Sequence, residues 1–260
     1  MFKIVFRYFF YRLFASHRRG FGIHSPFVFH LVSQVLNKQD DENLKRIAFW
    51  RKDLLHLRSL LQTSDNGAGS KVHKRPGRSI GQIERKSSIR HKYGRVLYSF
   101  VKEFKPATII ELGTGIGIST AYLAKACPEC RVITIEADQG KMKFASNVLE
   151  QIGLENITFL TGFFRELLSD ALREVNHPLL VFVDGDHSYY RTIEYFTEIK
   201  KSANSETIII LDDIRWSEDM EKAWNEIKKD KVVIVTMDLF FMGIVFFRRG
   251  IPKQDFIINF

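Results

Sequence analysis

The sequence predicts an α/β protein with a doubly wound, mostly parallel sheet, preceded by a basic helical region. After about residue 95, short apolar runs rich in β-branched residues alternate with helical patterns. These runs are continuously apolar, as expected for strands that are buried on both faces of a sheet. The first 100 residues carry 20 Lys/Arg against 6 Asp/Glu, a net charge of +14, whereas the remaining 160 carry 19 against 24. This asymmetry indicates two functional surfaces of different character.

Length and composition set the class of protein. The chain has 260 residues, of which 45% are hydrophobic and 27% are charged. This balance is typical of a globular protein and excludes a mainly disordered chain, a collagen-like fibre and a multi-span membrane protein. Cys127 and Cys130 form a lone CxxC, which is too small for a disulfide framework and favours a reducing cytosol. We therefore expect no redox or metal role for the two thiols.

Residues 1–20 predict an amphipathic helix. Cations interrupt every apolar run and no small-residue cleavage site follows, so we expect neither a secretory signal nor a spanning segment. Lys3, Arg7, Tyr11 and Arg18 share one face, and phenylalanines cover most of the remainder. The helix either lies on an anionic membrane surface or packs on the main domain or across a dimer, with its cations in water. The sequence favours the packed arrangement.

Further helices complete a predicted N-terminal extension over residues 1–64. Ser25-Pro26 is a good helix start, and helical spacing continues from Phe27 to Leu36. A second helix is predicted over residues 42–62. Residues 65–94 are rich in Gly, Ser, Lys and Arg, which predicts a basic flexible loop. Its cations would attract an acidic substrate, nucleic acid or lipid head groups, and the alternatives are a solvated linker or an active-site lid.

The third predicted region, residues 95–250, contains the sheet. Five helical stretches separate the strands, at 118–127, 138–152, 165–175, 188–203 and 217–228. The last strand follows the sixth after only a short turn, which predicts a terminal hairpin and one antiparallel strand. The seven predicted strands are 108–112, 131–135, 157–160, 179–183, 207–211, 232–236 and 240–248.

Two strand ends form a candidate ligand site. The first strand runs into ELGTGIGIS, residues 111–119, whose glycines allow a sharp turn and close approach of a ligand to the backbone. The spacing is not GxGxxG, and GxxxxGK[ST] is absent, which weakens the dinucleotide and nucleoside-triphosphate interpretations. The second strand ends in Glu136, 25 residues after Glu111, where a carboxylate can accept from both hydroxyls of a ribose.

The chain from about Tyr93 to Arg249 resembles the class I S-adenosylmethionine-dependent methyltransferases, which have a Rossmann-like fold. The resemblance is carried by ELGTGIGIS, VITIEAD, VFVDGDHSYY and IIILDD, in that order. It implies that the loop glycines wrap the methionine portion of the cofactor and that Glu136 holds the ribose. Many members have an acid after the glycine that follows the third strand, whereas Phe163 stands there in this chain. The implied cofactor-binding residues are Glu111, Gly113, Gly115, Gly117, Ser119, Glu136, Ala137, Gly162 and Asp184.

The fourth and fifth strand ends are similar to those of the catechol and caffeoyl-CoA type O-methyltransferases. That resemblance implies Asp184, Asp212 and Asp213 as Mg²⁺ ligands, although Asp213 stands where the family usually has Asn. His187 stands where the family often has a basic Lys, which implies a catalytic base, with Asp184 beside it as the second catalytic residue. The alternative is that Asp184 only orders its turn or contacts the cofactor, while Asp212 and Asp213 cap the next helix.

The favoured function is methyl transfer from S-adenosylmethionine to the oxygen of a small hydroxylated acceptor, with an anionic group on the acceptor and Mg²⁺ assistance both left open. One alternative is methylation of RNA or of a protein nitrogen, recruited by the basic front half; the missing NPPY-type tetrapeptide counts against base methylation, so nucleic acid is disfavoured. Another is a non-catalytic cofactor-binding or membrane-associated protein. We expect a cytoplasmic location. Membrane association through residues 1–20 is left open, as is the homodimer that the resemblance suggests.

Overall fold

The structure, a computed structural model, describes residues 2–15, 17, 20–61 and 78–260. Within them the chain forms ten α-helices, one π-helical turn (Leu31–Val35) and eight strands. The helices are α1 (Phe2–Phe14), α2 (Pro26–His30), α3 (Glu42–His56), α4 (Ile80–Ser87), α5 (His91–Phe104), α6 (Ile118–Ala126), α7 (Gln139–Gln151), α8 (Phe164–Arg173), α9 (Tyr189–Lys201) and α10 (Glu218–Lys229). The strands are β1 (Thr108–Leu112), β2 (Arg131–Glu136), β3 (Ile157–Thr161), β4 (Leu179–Val183), β5 (Ile208–Leu211), β6 (Val235–Asp238), β7 (Gly243–Phe246) and β8 (Gln254–Ile257).

One compact unit comprises residues 39–176. Its three strands lie in the order β3-β2-β1, and both pairs are parallel. Every residue of β1 is buried, which explains why the run is apolar almost without interruption. Because the strands are parallel, β1 and β2 end at the same edge. This edge carries the glycine-rich segment and Glu136.

The second compact unit comprises residues 1–38 and 177–260. Its strands lie in the order β4-β5-β7-β6-β8. Strands β4 and β5 are parallel, and β7 runs antiparallel to both β5 and β6. The carboxyl ends of β4 and β5 place Asp184 and Asp212 at one edge of this unit, and the amide of Asp212 donates to the carbonyl of Val183 at 2.9 Å.

The predicted mixed α/β fold with one reversed strand is confirmed, with two differences. An eighth strand, β8, pairs in parallel with β6. It has four residues, so its sequence signal is weak. The sixth strand begins at Val235 and not at Val232, because Asp230 at the end of α10 accepts the amides of Val232 and Val233 and closes a turn there.

The N-terminal residues do not form a separate extension up to residue 64. Residues 1–38 group with the C-terminal part of the chain. The reason is a set of long-range hydrogen bonds from α1, in which the Tyr11 hydroxyl donates to the Ile258 carbonyl and Arg12 donates to the Asn259 side chain. No helix in the described ranges is long and apolar enough to cross a membrane.

The prediction of a flexible loop over 65–94 is wrong for its last part. Residues 62–77 lie outside the described residues, but α4 begins at Ile80 and α5 at His91. Ser79 and Gln82 form a capping box, and Ile80 and Ile83 are buried, so this basic segment has both a start signal and an apolar face. Earlier, α3 ends at His56 and not at residue 62, because Leu57 is extended.

The CxxC segment also differs from expectation, because Cys127 and Cys130 form a disulfide. Their Cα atoms are 5.3 Å apart, which lies within the range that a disulfide spans. The side-chain amide of Asn156 donates to the carbonyls of both cysteines and to that of Ala124. One side chain therefore fixes the turn that brings the two sulfur atoms together.

Candidate functional site

The glycine-rich segment forms a tight loop between β1 and α6. The amides of Gly113 and Thr114 donate to the carbonyl of Ile135 at 2.9 and 3.3 Å, and the Gly117 amide donates to the Thr114 carbonyl at 2.9 Å. Gly113, Gly115 and Gly117 have φ values of 109°, 56° and 88°. These values lie in the left-handed region, where glycine has no steric penalty. The loop is thus bonded to the end of β2.

Two of the loop glycines are needed for different reasons. A Cβ atom at Gly117 would lie 3.0 Å from Leu149 Cδ1 and 3.3 Å from the Ala145 Cβ atom, so this glycine allows α7 to approach the loop. A Cβ atom at Gly115 would meet nothing within 4 Å. Space is therefore open beside the loop at Gly115, as a cradle for a ligand requires.

Glu136 is bonded to this loop. Its Oε2 accepts the Gly115 amide at 3.0 Å, and its Oε1 accepts the Asp138 amide at 3.0 Å. Lys141 Nζ lies 4.0 Å from Oε1, and the Glu136 side chain is 11% exposed. An ionised carboxylate has about four acceptor positions, so two remain after these bonds. Glu136 can therefore hold the loop and still accept from the hydroxyls of a ligand.

Glu111 lies beneath the loop as an internal clamp. Its Oε2 accepts the hydroxyls of Thr120 at 2.5 Å and Thr134 at 2.6 Å, and Thr134 is also bonded to Thr114 at 2.6 Å. Burial raises the pKa of the Glu111 carboxyl, and hydrogen bonds including that of Thr120 oppose this effect. The carboxyl is fully buried. It connects β1, β2 and α6, and its predicted contact with a cofactor stays a prediction.

The other predicted cofactor residues lie around the same strand ends. Ser119 is buried in the first turn of α6, and Ala137 is partly buried directly after Glu136. The Gly162 amide donates to the Glu136 carbonyl at 3.0 Å, which connects the ends of β3 and β2. Phe163, the next residue, is 39% exposed. The structure therefore gathers most of the predicted cofactor residues within residues 39–176.

The second unit carries the acid and imidazole cluster. His187 Nε2 lies 3.8 Å from Asp184 Oδ1 and 3.9 Å from Asp213 Oδ2, so the imidazole faces a carboxylate from each of two strand ends. Its Nδ1 is buried and makes no hydrogen bond within the described residues. Asp213 has a φ of 55°, a left-handed conformation that Asp and Asn tolerate best among non-glycine residues. This conformation is therefore compatible with either Asp or the Asn that the related family usually has there.

The predicted magnesium site is not supported. Across the described ranges, no group of three or more His, Cys, Asp or Glu side chains is placed to hold a metal ion. The imidazole of His187 lies at the same edge and faces both Asp184 and Asp213. Among the described residues, Asp184, Asp212 and Asp213 are thus not arranged together as a set of Mg²⁺ ligands.

Tyr195 and Asp186 form a pair that the sequence analysis did not single out. The Tyr195 hydroxyl on α9 donates to the Asp186 carboxylate, and burial followed by this hydrogen bond raises the pKa of Tyr195. Asp186 has a φ of 59° and is directed toward α9. Tyr195 follows Asp186 by nine residues and lies on α9, the helix after β4. This spacing is the only sequence signal for the pair, and it is weak.

The residues after these strands lie within a segment that matches a known protein family. Residues 110–214 match the family model described as "Methyltransferase domain". The match runs from β1 through Asp213 and so includes both clusters. This match supports the resemblance of residues 110–214 to the class I methyltransferases.

Curated relatives match over about half of the chain or less. A catechol O-methyltransferase of Niastella koreensis is 28% identical over 130 residues, which are 49% of this chain and 58% of that protein. A ribosomal RNA small subunit methyltransferase G of Lactococcus lactis is 29% identical over 86 residues, 32% of this chain and 36% of that protein. The chain thus spans little more than half of the first relative and about a third of the second.

Solved structures share the fold. An O-methyltransferase from Bacillus cereus in complex with SAH superposes with a TM-score of 0.55 and 19% identity, covering 91% of this chain and 99% of that one. At this identity the likeness supports the fold and leaves substrate identity open.

Replacement of Glu111 by Gln tests the buried clamp. Because burial raises the pKa of Glu111 in the folded state, the acid contributes stability below its unfolded pKa and loses it as pH rises through the folded pKa. Glu111→Gln keeps the shape but does not titrate. We expect the thermal stability of the wild type to fall relative to that of the variant as pH is raised from about 5 to 8.

Differential scanning calorimetry at several pH values measures this difference. Glu150→Gln, an exposed residue on α7, is the matched control and should run parallel to the wild type. Parallel curves for Glu111→Gln and the wild type would contradict a buried, titrating clamp.

Calorimetric titration of Mg²⁺ into the protein tests whether Asp184, Asp212 and Asp213 bind this ion. We expect no saturable heat at concentrations up to about 5 mM, since weak magnesium sites of one or two carboxylates depend on a bound phosphate. Saturable binding that Asp184→Asn abolishes would show that the strand-end acids hold a metal after all.

Proposed function

We propose that the chain binds S-adenosylmethionine and transfers its methyl group to an oxygen atom of a small hydroxylated acceptor. The observation that carries this proposal is the bond between Glu136 and Gly115, which places a carboxylate with spare acceptor capacity beside an open glycine loop. The methyltransferase-domain match over residues 110–214 supports it. The SAH complex of the Bacillus cereus neighbour supports the cofactor class.

Each predicted residue then has a role in holding the cofactor. The loop around Gly113, Gly115 and Gly117 faces the methionine portion, with Ser119 and the Glu111 clamp supporting it from α6 and β1. Glu136 and Ala137 face the ribose, and Gly162 lies on the adenine side. Phe163 is exposed enough to pack against an adenine ring, which compensates for the acid that many relatives have at this position.

Chemistry at the acceptor is assigned to His187 and Asp184. When bound, S-adenosylmethionine supplies a methyl group on a positively charged sulfur, which is a good leaving group. The protein therefore needs to align the acceptor and accept its hydroxyl proton. His187 accepts that proton, and Asp184, whose Oδ1 lies 3.8 Å from the imidazole, stabilises the resulting cation. No step in this scheme passes through a metal.

Glu136→Gln tests the cofactor site. The amide keeps one acceptor oxygen but loses the charge, and hydrogen bonds to a charged group contribute about 1.5–3 kcal/mol. We expect the affinity for S-adenosylhomocysteine, measured by titration calorimetry, to fall about 10- to 100-fold. Glu150→Gln on the exposed face of α7 should bind as the wild type does. Unchanged affinity in Glu136→Gln would remove the ribose role.

His187→Gln tests the base. We expect turnover with 3,4-dihydroxybenzoate, an anionic catechol used as the probe acceptor, to fall about 10²- to 10⁴-fold while S-adenosylhomocysteine affinity stays within about twofold. His56→Gln, on the exposed end of α3, is the matched control. Equal turnover of His187→Gln and the wild type would assign proton transfer to another group.

Methylation of RNA is the second candidate. It is favoured by the ribosomal RNA methyltransferase relatives and by the net charge of +14 on residues 1–100. Transfer of labelled methyl groups to total RNA, compared with transfer to 3,4-dihydroxybenzoate under the same conditions, distinguishes the two. Label recovered in RNA alone would replace the small-molecule proposal.

A further inference from the structure

Helix α1 turns a continuous apolar surface to solvent. Tyr8 on this helix is 44% exposed, and six further large side chains, four of them phenylalanines, are between 41% and 66% exposed. At 100° per residue their positions cover about half of the helix circumference, so they form one face and not scattered sites. We call this the α1 apolar face; it consists of Val5, Phe6, Phe9, Phe10, Leu13 and Phe14.

The opposite side of α1 is fixed to its own unit by polar contacts. Arg7 donates to the Arg215 carbonyl at 3.2 Å and pairs with Glu221 at 3.2 Å. Tyr11 is 3% exposed, and its hydroxyl donates to the Ile258 carbonyl. This orientation is the reverse of the expected packing, in which the cations face water and phenylalanines face the domain. The polar anchors hold the α1 apolar face outward.

The geometry of α1 matches an interfacial helix. Its 13 residues span about 20 Å, which is shorter than the hydrocarbon core of a bilayer at about 30 Å. A helix of this length with one apolar half can lie in the plane of a membrane surface and insert its apolar side chains among the lipids. Phe21, a few residues further along, is 84% exposed and adds to the same apolar character.

Charge selects a lipid surface over a second copy of the chain. Residues 1–20 contain five cations, Lys3, Arg7, Arg12, Arg18 and Arg19, and no acid. A symmetric dimer through this helix would bring two such segments together, whereas anionic head groups complement them.

We propose that the α1 apolar face docks the protein on an anionic lipid surface, with the apolar side chains in the acyl boundary. This inference stands apart from methyl transfer. It concerns where the protein is held, and its test does not depend on the reaction.

Vesicle sedimentation of the full chain tests the proposal. The probes are vesicles of phosphatidylcholine alone and of phosphatidylcholine with about 30% phosphatidylserine. We expect binding to the anionic vesicles, weaker binding to neutral ones, and weakening with added salt. The triple variant Phe6→Gln, Phe9→Gln, Leu13→Gln should lose at least about tenfold in affinity. Phe49→Gln, a residue on α3 that is 68% exposed, is the matched control and should bind as the wild type does.

If the triple variant does not fold, a second variant tests the same proposal by fluorescence. Phe9→Trp keeps the apolar face, and its added fluorescence should shift to shorter wavelength when anionic vesicles are added. Absence of vesicle binding by the wild type, equal binding by wild type and folded triple variant, or an unshifted Phe9→Trp spectrum would overturn the proposal. A wild-type dimer in vesicle-free buffer that the triple variant abolishes would also overturn it, in favour of a second copy.

Discussion

A single carboxylate holds together the elements on which the candidate cofactor site depends. Glu136 ends β2 and accepts amide donors from the glycine loop and from the start of α7, at Gly115 and Asp138. Without those two acceptors, the amides of a tight turn would lie unsatisfied in a largely buried place. The same carboxylate retains two acceptor positions, so loop formation and ligand recognition use one group. Glu111 supports this arrangement from beneath through Thr120 and Thr134.

The second cluster consists of the His187 imidazole and carboxylates that follow two strands. Two carboxylates from neighbouring strand ends would repel each other unless a positive group lay near them. In this chain the imidazole of His187 faces both Asp184 and Asp213 at less than 4 Å. A methyl transfer that needs only alignment of the acceptor and proton transfer can proceed without a divalent cation. The glycine loop is thus held by hydrogen bonds between backbone amides and one carboxylate, whereas the second cluster groups an imidazole with carboxylates.

Patterns along the chain predicted the parts of the fold that depend on burial and strand direction. Buried parallel strands are apolar almost throughout, so β1 and β4 could be located from their sequence patterns. Contacts between residues far apart in the chain could not be predicted from such local patterns. The Tyr11 bond to Ile258, which turns phenylalanines to solvent, joins positions 247 residues apart. The disulfide at Cys127 depends on a turn held by Asn156, which local spacing does not reveal.

The central claim is that the loop from Gly113 to Gly117 and the carboxylate of Glu136 together form the cofactor cradle. Amide hydrogen exchange of the full chain with and without S-adenosylhomocysteine tests it most directly, because a bound ligand slows exchange of the amides it orders. The account predicts added protection confined to peptides that contain the loop, the end of β2 and the segment around Gly162. Unchanged exchange in the loop, with protection appearing elsewhere or nowhere, would contradict it.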